Sequence, residues 1–238
     1  MLNERYGKFH ETQIHRAGSC SPSKWGLIII VLSIMLGGCT IPVPQGPTVI
    51  DKSFVTNNPC SPPCWYGLKL DVSNKEDVLA TLSKLPFIEL SSIREQSVRW
   101  NDSDAMYIRF SCISHKDKKC GGITIAGDKV KRISMAVHYE LSLETTVSKL
   151  GAPDYVEYSV YHPEVGGCVI SLEWQELGIV VNHLDTRNEG YCQYISDQNA
   201  IPKGIEVTEI HYIAEDRFTS ETVDDSTRIP WPGFADNE

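Results

Sequence analysis

Residues 142–153 read SLETTVSKLGAP, and this stretch sets the fold class. Ser142 can accept a hydrogen bond from the N–H three residues on, which makes it a helix start. Leu143, Val147 and Leu150 then recur at helical spacing. Gly151 supplies the left-handed position that closes a helix, and Pro153 bars continuation. Beyond Pro153 the period changes to two. Residues 155–161, 168–174 and 179–184 alternate as strands, the last two joined by a turn at 175–178. A loop containing Cys192 leads to a further strand at 205–213. There Ile205, Val207, Glu209, His211 and Ile213 share one face, and Thr208, Ile210 and Tyr212 share the other.

The same order of elements precedes it. Ser73-Asn74-Lys75-Glu76 has the spacing of a capping box, and Val78, Leu79, Leu82 and Leu85 follow at helical spacing until Pro86. Short strands are expected at 97–100 and at 106–112, where Met106, Ile108 and Phe110 oppose Tyr107 and Arg109. A polar loop follows at 113–119. Two strands, 123–126 and 130–137, then flank the turn Gly127-Asp128; in the second, Val130, Arg132, Ser134 and Ala136 oppose Ile133, Met135 and Val137. The expected fold is therefore α+β: two tandem helix-plus-antiparallel-sheet repeats, at 64–138 and 139–213. A Pro-rich tether at 39–63 precedes them. An acidic extended tail at 214–238 follows, with Trp231 and Phe234 placed to dock back on the body.

Residues 142–147 with Leu150-Gly151-Ala152-Pro153, and more loosely residues 73–82, resemble the small α/β repeat shared by β-lactamase-inhibitor proteins and small outer-membrane assembly lipoproteins. The resemblance spans residues 65–213. It implies a sheet packed on helices, and binding in place of catalysis. No inhibitory loop is matched, so no β-lactamase target carries over.

The other informative stretch is residues 25–39, WGLIIIVLSIMLGGC. Arg5, Lys8, Arg16 and Lys24 precede or border its apolar run. That is a signal-peptide pattern, and the run is shorter than the roughly 20 residues a spanning helix needs. Leu36-Gly37-Gly38-Cys39 resembles the lipobox of bacterial lipoproteins. In that family the cysteine sulfur takes a diacylglycerol and the peptide is cut just before it. The resemblance makes residues 1–38 a signal peptide and Cys39 the lipidated residue. An uncut signal anchor is the alternative. Two or more acyl chains make such an attachment stable.

Composition agrees with that address. Cleavage before Cys39 leaves 200 of 238 residues, with 18 basic and 29 acidic side chains and a net charge near −11. So acidic a chain is a poor partner for nucleic acid. No Walker loop, dinucleotide fingerprint or nucleophile elbow is present. With Cys39 given to lipid, six cysteines remain beyond the leader: Cys60, Cys64, Cys112, Cys120, Cys168 and Cys192. An even number in an exported chain reads as three disulfides, with 15 possible connectivities. Spacing favours the local set, Cys60–Cys64, Cys112–Cys120 and Cys168–Cys192.

Candidate sites are sparse. Cys60 and Cys64 lack the two-residue spacing of a redox motif and read as a structural clip beside Trp65 and Tyr66. Cys112, His115 and Cys120 could ligate a metal but lack a fourth ligand, so a disulfide beside a loop histidine is expected and no metal or cofactor is assigned. His138, His162, His183 and His211 are scattered, and a carboxylate such as Glu140 or Asp185 is near enough in sequence for acid–base work. Tyr158, Tyr161 and Trp174 are candidates for core packing or for a binding face. The functional expectation is a membrane-anchored extracytoplasmic lipoprotein, a non-catalytic binding or envelope-assembly module. Its partners would be membrane lipid, through acylated Cys39, and another envelope protein. The alternative is an exported hydrolase or metal-dependent enzyme using strand-end histidines.

Overall fold

The computed structural model describes residues 51–100, 103–113, 119–160, 167–185, 190–214 and 226–235. In chain order these form α1 (Ser53–Thr56), α2 (Lys75–Leu82), β1 (Ile88–Trp100), β2 (Ser103–Cys112), β3 (Lys119–Ala126), β4 (Lys129–Ala136), α3 (Leu143–Leu150), β5 (Tyr155–Val160), β6 (Cys168–Trp174), β7 (Ile179–Asp185), α4 (Gly190–Gln198), β8 (Glu209–Ile213) and β9 (Thr227–Pro230). The nine strands make one sheet in the order β1-β2-β3-β4-β8-β7-β6-β5-β9, antiparallel at every pairing. Helix and strand are thus mixed, and the sheet dominates. Strands β1 to β4 run as one meander and β5 to β8 as another whose last connection carries α4, each led in by a helix. The two join through their last strands, β4 against β8.

Local chemistry accounts for the elements. The Ser142 side chain caps α3 by accepting from Thr145 N at 3.1 Å. Gly151 ends it at φ 86°, a conformation glycine adopts without a Cβ penalty, and its carbonyl accepts from Trp174 Nε1 at 2.9 Å. The expected cap of α2 moves by one residue. Asn74 accepts from Asp77 N, and Asp77 returns the bond to Asn74 N; the Ser73 hydroxyl instead accepts from Lys69 N. Gly127 and Asp128 both take positive φ, 55° and 59°, and close the β3–β4 hairpin with the twist that turn requires.

One face of the sheet carries the core. Ile108, Ile123, Ile133, Ile170, Val181 and Ile210 point there and meet Trp65, Val78 and Leu82 of the first half and Leu143 and Ile195 of the second. Trp65 is 1% exposed and stacks on Phe110 with ring centroids 5.8 Å apart. The absent side chain of Gly121 admits this packing, since a Cβ there would sit 2.6 Å from the Ser134 carbonyl oxygen and 2.8 Å from the Phe110 ring. Tyr158 and Trp174 belong to the same core, which removes them from any binding face.

Several expectations need correction. The strand expected at 97–100 is the end of the 13-residue β1; a register shift between Glu89 and Arg94, and polar residues on both its faces, hide its alternation. The stretch around Cys192 is helical: α4 buries only Cys192 and Ile195, too thin a stripe to show as a period. The strand expected at 205–213 is confined to β8. Upstream of it, Leu143 N donates to Ile205 O, Val207 N to Leu141 O and Val137 N to Thr208 O, so this segment pairs with the connection into α3. The folded body also starts before residue 64. Phe54 is 2% exposed, and the Asp51 carboxylate accepts from Trp65 Nε1 at 2.8 Å and from the Tyr66 hydroxyl at 3.2 Å. The tail is likewise partly sheet: β9 pairs with β5, and Ile229, Trp231 and Phe234 pack on the core.

Candidate functional site

Strand alternation sends a second set of side chains to the opposite face, on which no described helix packs: α2, α3 and α4 bury Val78, Leu82, Leu143 and Ile195 in the core on the other side. The centre of this helix-free face is the β4–β8 junction. Register pairs Ser134 with His211, and Val180 with His211 on the far side. The His211 side chain is 3% exposed and fully engaged. Ser134 Oγ lies 2.9 Å from its Nδ1 and Arg132 Nη2 3.3 Å from the same atom. Glu209 Oε2 lies 3.2 Å from its Nε2 and Asn182 Nδ2 3.0 Å.

These partners fix the tautomer. A carboxylate only accepts, so Nε2 carries the proton and donates to Glu209. Nδ1 is then the acceptor, and both the Ser134 hydroxyl and the Arg132 guanidinium can donate to it. Asn182 Oδ1 has no hydrogen-bond partner among the described residues; rotating the amide offers that oxygen to Nε2–H as a second acceptor. Burial holds His211 below the usual histidine range, and the Arg132 and Lys119 charges push the same way against the pull of Glu209. Glu209 is held low, first by the bond from His211. At neutral pH the pair is an uncharged imidazole on a carboxylate.

Ser134, His211 and Glu209 thus stand in the order of a nucleophile, base and orienting acid. Two features work against that use. Arg132 donates to the very lone pair with which His211 would take the Ser134 proton, and burial leaves the hydroxyl little room for an incoming carbonyl. The network is a satisfied polar centre that pins β4, β7 and β8 together.

To either side the face divides by charge. On the β1–β4 side, Arg94 of β1 is directly opposite Arg109 of β2. Lys119 Nζ lies 5.4 Å above the Tyr107 ring and the Arg132 guanidinium 5.9 Å from the Trp100 ring. On the β5–β9 side, Glu173 is 5% exposed and accepts from Arg228 Nη2, whose guanidinium sits 4.2 Å over the Tyr155 ring. Burial raises the Glu173 carboxyl, with the nearby Glu157 adding to the rise and Arg228 opposing it.

Comparison with protein-family models, with curated proteins and with solved structures found no match.

The residues singled out in the sequence scatter. Among the described residues three disulfides are present, Cys60–Cys64, Cys112–Cys120 and Cys168–Cys192. Cys39 and the leader, His115, Tyr161 and His162 lie outside the described residues. His183 Nδ1 donates to the Glu206 carbonyl at 2.7 Å, and its ring meets Tyr191 edge-on. His138 lines a cleft with Cys112 and Cys120 on the core side. Among the described histidines His211 is the one held by four side chains at once, and it lies in mid-strand. Sequence reading missed Ser134, Asn182 and Arg132 as its partners. Their signal was polarity at alternate positions of strands whose other residues are apolar.

Proposed function

We propose that this chain is a membrane-anchored extracytoplasmic lipoprotein whose helix-free sheet face docks an acidic segment of another envelope protein. The observation that carries the docking is the Arg94–Arg109 pair. Like charges directly opposite each other on one face destabilise a strand pair. In a chain of net charge −9, this pair and its neighbours Lys119 and Arg132 gather cations on one half of one face. A carboxylate-rich partner would relieve that repulsion and gain bidentate contacts. The address rests on Leu36-Gly37-Gly38-Cys39, supported by three disulfides that leave Cys39 outside their pairing. Among the described residues no helix is long and apolar enough to cross a membrane.

We read the two halves as copies of one helix-plus-meander unit. The support is that each half opens with a helix and contributes four neighbouring strands, with α4 inserted before the fourth in the second half alone, and that the halves join through the last strand of each. Such a junction gives one wide face from two small units.

Site-specific photo-crosslinking in the native membrane tests the docking. A crosslinker at Gln96, which pairs with Tyr107 on this face, is expected to trap a partner through an acidic peptide. The same group at the exposed Glu76 of α2 is expected to trap none, and Arg94→Glu with Arg109→Glu to abolish the Gln96 adduct. Equal adducts from both positions, or an adduct indifferent to charge reversal, would sink the reading. Anchoring is tested by metabolic labelling with a fatty-acid analogue, which Cys39→Ser must abolish.

The second reading, an exported hydrolase, has one observation in its favour, the Ser134–His211–Glu209 order. A serine-reactive phosphonate distinguishes the two.

A further inference from the structure

The Cys112–Cys120 disulfide has a neighbour that the sequence did not suggest. Cys112 ends β2, Cys120 stands near the start of β3, and His138 follows β4, so three successive strands bring them to one end of the sheet. The two Sγ atoms and a ring nitrogen of His138 all lie within 4.8 Å of one another. Among the described residues this is the one group of three or more metal-ligating side chains so close. Both cysteines are buried, at 4% and 5% exposure, while His138 is half-buried at the mouth of a cleft that Asp51, Trp65 and Met135 also line. The Asp51 oxygens are taken by Trp65, Tyr66 and the Ser53 amide, so Asp51 adds negative charge beside the group and is not itself placed as a ligand.

Two sulfurs and an imidazole are the donor set of a thiophilic cation. We propose that the Cys112–Cys120 bridge and His138 form a redox-gated metal site, which takes one cation of the Zn²⁺ class once the disulfide is opened. Opening needs two electrons and two protons. A dithiol supplies them and becomes its own disulfide, leaving two protein thiols. The cation then displaces both thiol protons and binds two thiolates and the neutral imidazole; water completes the tetrahedron.

The test uses the purified protein, oxidised and after treatment with a water-soluble phosphine that leaves as its oxide, titrated with Co²⁺ and then Zn²⁺. The reduced protein is expected to show thiolate-to-cobalt charge-transfer absorption that Zn²⁺ bleaches. The oxidised protein should show none. His138→Ala is expected to weaken Co²⁺ binding by about tenfold or more, whereas Cys168→Ser with Cys192→Ser should leave it unchanged. The circular dichroism of oxidised His138→Ala, matched to wild type, separates ligand loss from misfolding. Absence of the charge-transfer band in the reduced wild type, equal binding by the oxidised protein, or equal affinity in His138→Ala would each overturn the proposal. None of these outcomes bears on docking at the opposite face.

Discussion

Ser134 and His211 are 77 residues apart in the chain, yet Ser134 Oγ lies 2.9 Å from His211 Nδ1 across the β4–β8 pairing. One hydrogen bond thus spans the seam between the two meanders. Its surroundings decide whether it is a reactive pair or a clasp. With Arg132 donating to the same nitrogen, the hydroxyl shares its acceptor and gains little basicity from it.

A clasp predicts modest loss and no chemistry. Ser134→Ala removes one donor but leaves Arg132 on Nδ1, so chemical denaturation should show a cost of about 1 kcal/mol. A serine-reactive phosphonate should leave Ser134 unlabelled in the wild type. Stoichiometric labelling that Ser134→Ala and His211→Gln both abolish would instead establish the hydrolase.

Acid should loosen the same seam. His211 titrates below its unfolded value of 6.5 when folded, so the unfolded chain binds the extra proton first. Stability from this group is complete above that unfolded value and falls as pH drops through it toward the folded one. Glu209, also held low, gives up its contribution further into acid. Glu173 is raised and acts the other way, since its folded form takes a proton first. The His211 effect should set in as pH falls through the unfolded value of 6.5 and grow below it. The denaturation midpoint should drop below that value in wild type and drop less in His211→Gln. Equal pH dependence would show that His211 does not control it.

Much of this was legible in the residues, because local rules governed it. The Ser142 cap, the Gly151 stop and the Gly127-Asp128 turn each need only their own neighbours. The shared face of Glu209 with His211, and of Arg132 with Ser134, followed from a period of two. What stayed hidden was non-local. Nothing near Ser134 or His211 says that β4 pairs with β8, and α4 buries too few residues to print a period. The residues around Asp51 and Phe54 read as tether because prolines and asparagines surround them, yet one aromatic ring and one carboxylate suffice to hold that segment to Trp65. His138 joined the cysteines only through the register of β2, β3 and β4.

That early docking is testable. Phe54→Ala removes a buried ring from the core and should cost about 3–5 kcal/mol, far more than an exposed tether residue could. Asp51→Asn changes one acceptor oxygen of a carboxylate that meets Trp65 and Tyr66, and should cost about 1–3 kcal/mol. If a chain starting at residue 64 melts at the same temperature as one starting at 39, the residues around Phe54 contribute nothing to the body.

The three bridges should differ in worth. Chain-entropy arguments give about 3 kcal/mol for Cys168–Cys192, which closes 24 residues, against about 2 kcal/mol for Cys60–Cys64, which closes 4. The longer bridge also ties α4 to β6. Replacing each pair by serine and comparing denaturation midpoints checks the order. A larger loss at Cys60–Cys64 would mean that the clip under Trp65 organises the core more than loop closure does.

The sharpest prediction sets stability against binding. Arg94 and Arg109 face each other on the helix-free side, where an opposite-charge pair would add roughly 0.2–1 kcal/mol. Arg109→Glu should therefore leave the isolated protein as stable as wild type or slightly more so, with the gain fading at high salt. The same change should weaken capture of the partner crosslinked from Gln96. Arg109→Gln, which removes the repulsion without adding an attraction, should fall between the two on both scales. Arg94 Nη1 donates to the Ser91 and Ile93 carbonyls; if Arg109→Glu destabilises the free protein, that support already offsets the repulsion, and the juxtaposition no longer argues for an acidic partner. If it stabilises the protein and leaves capture intact, the partner docks elsewhere.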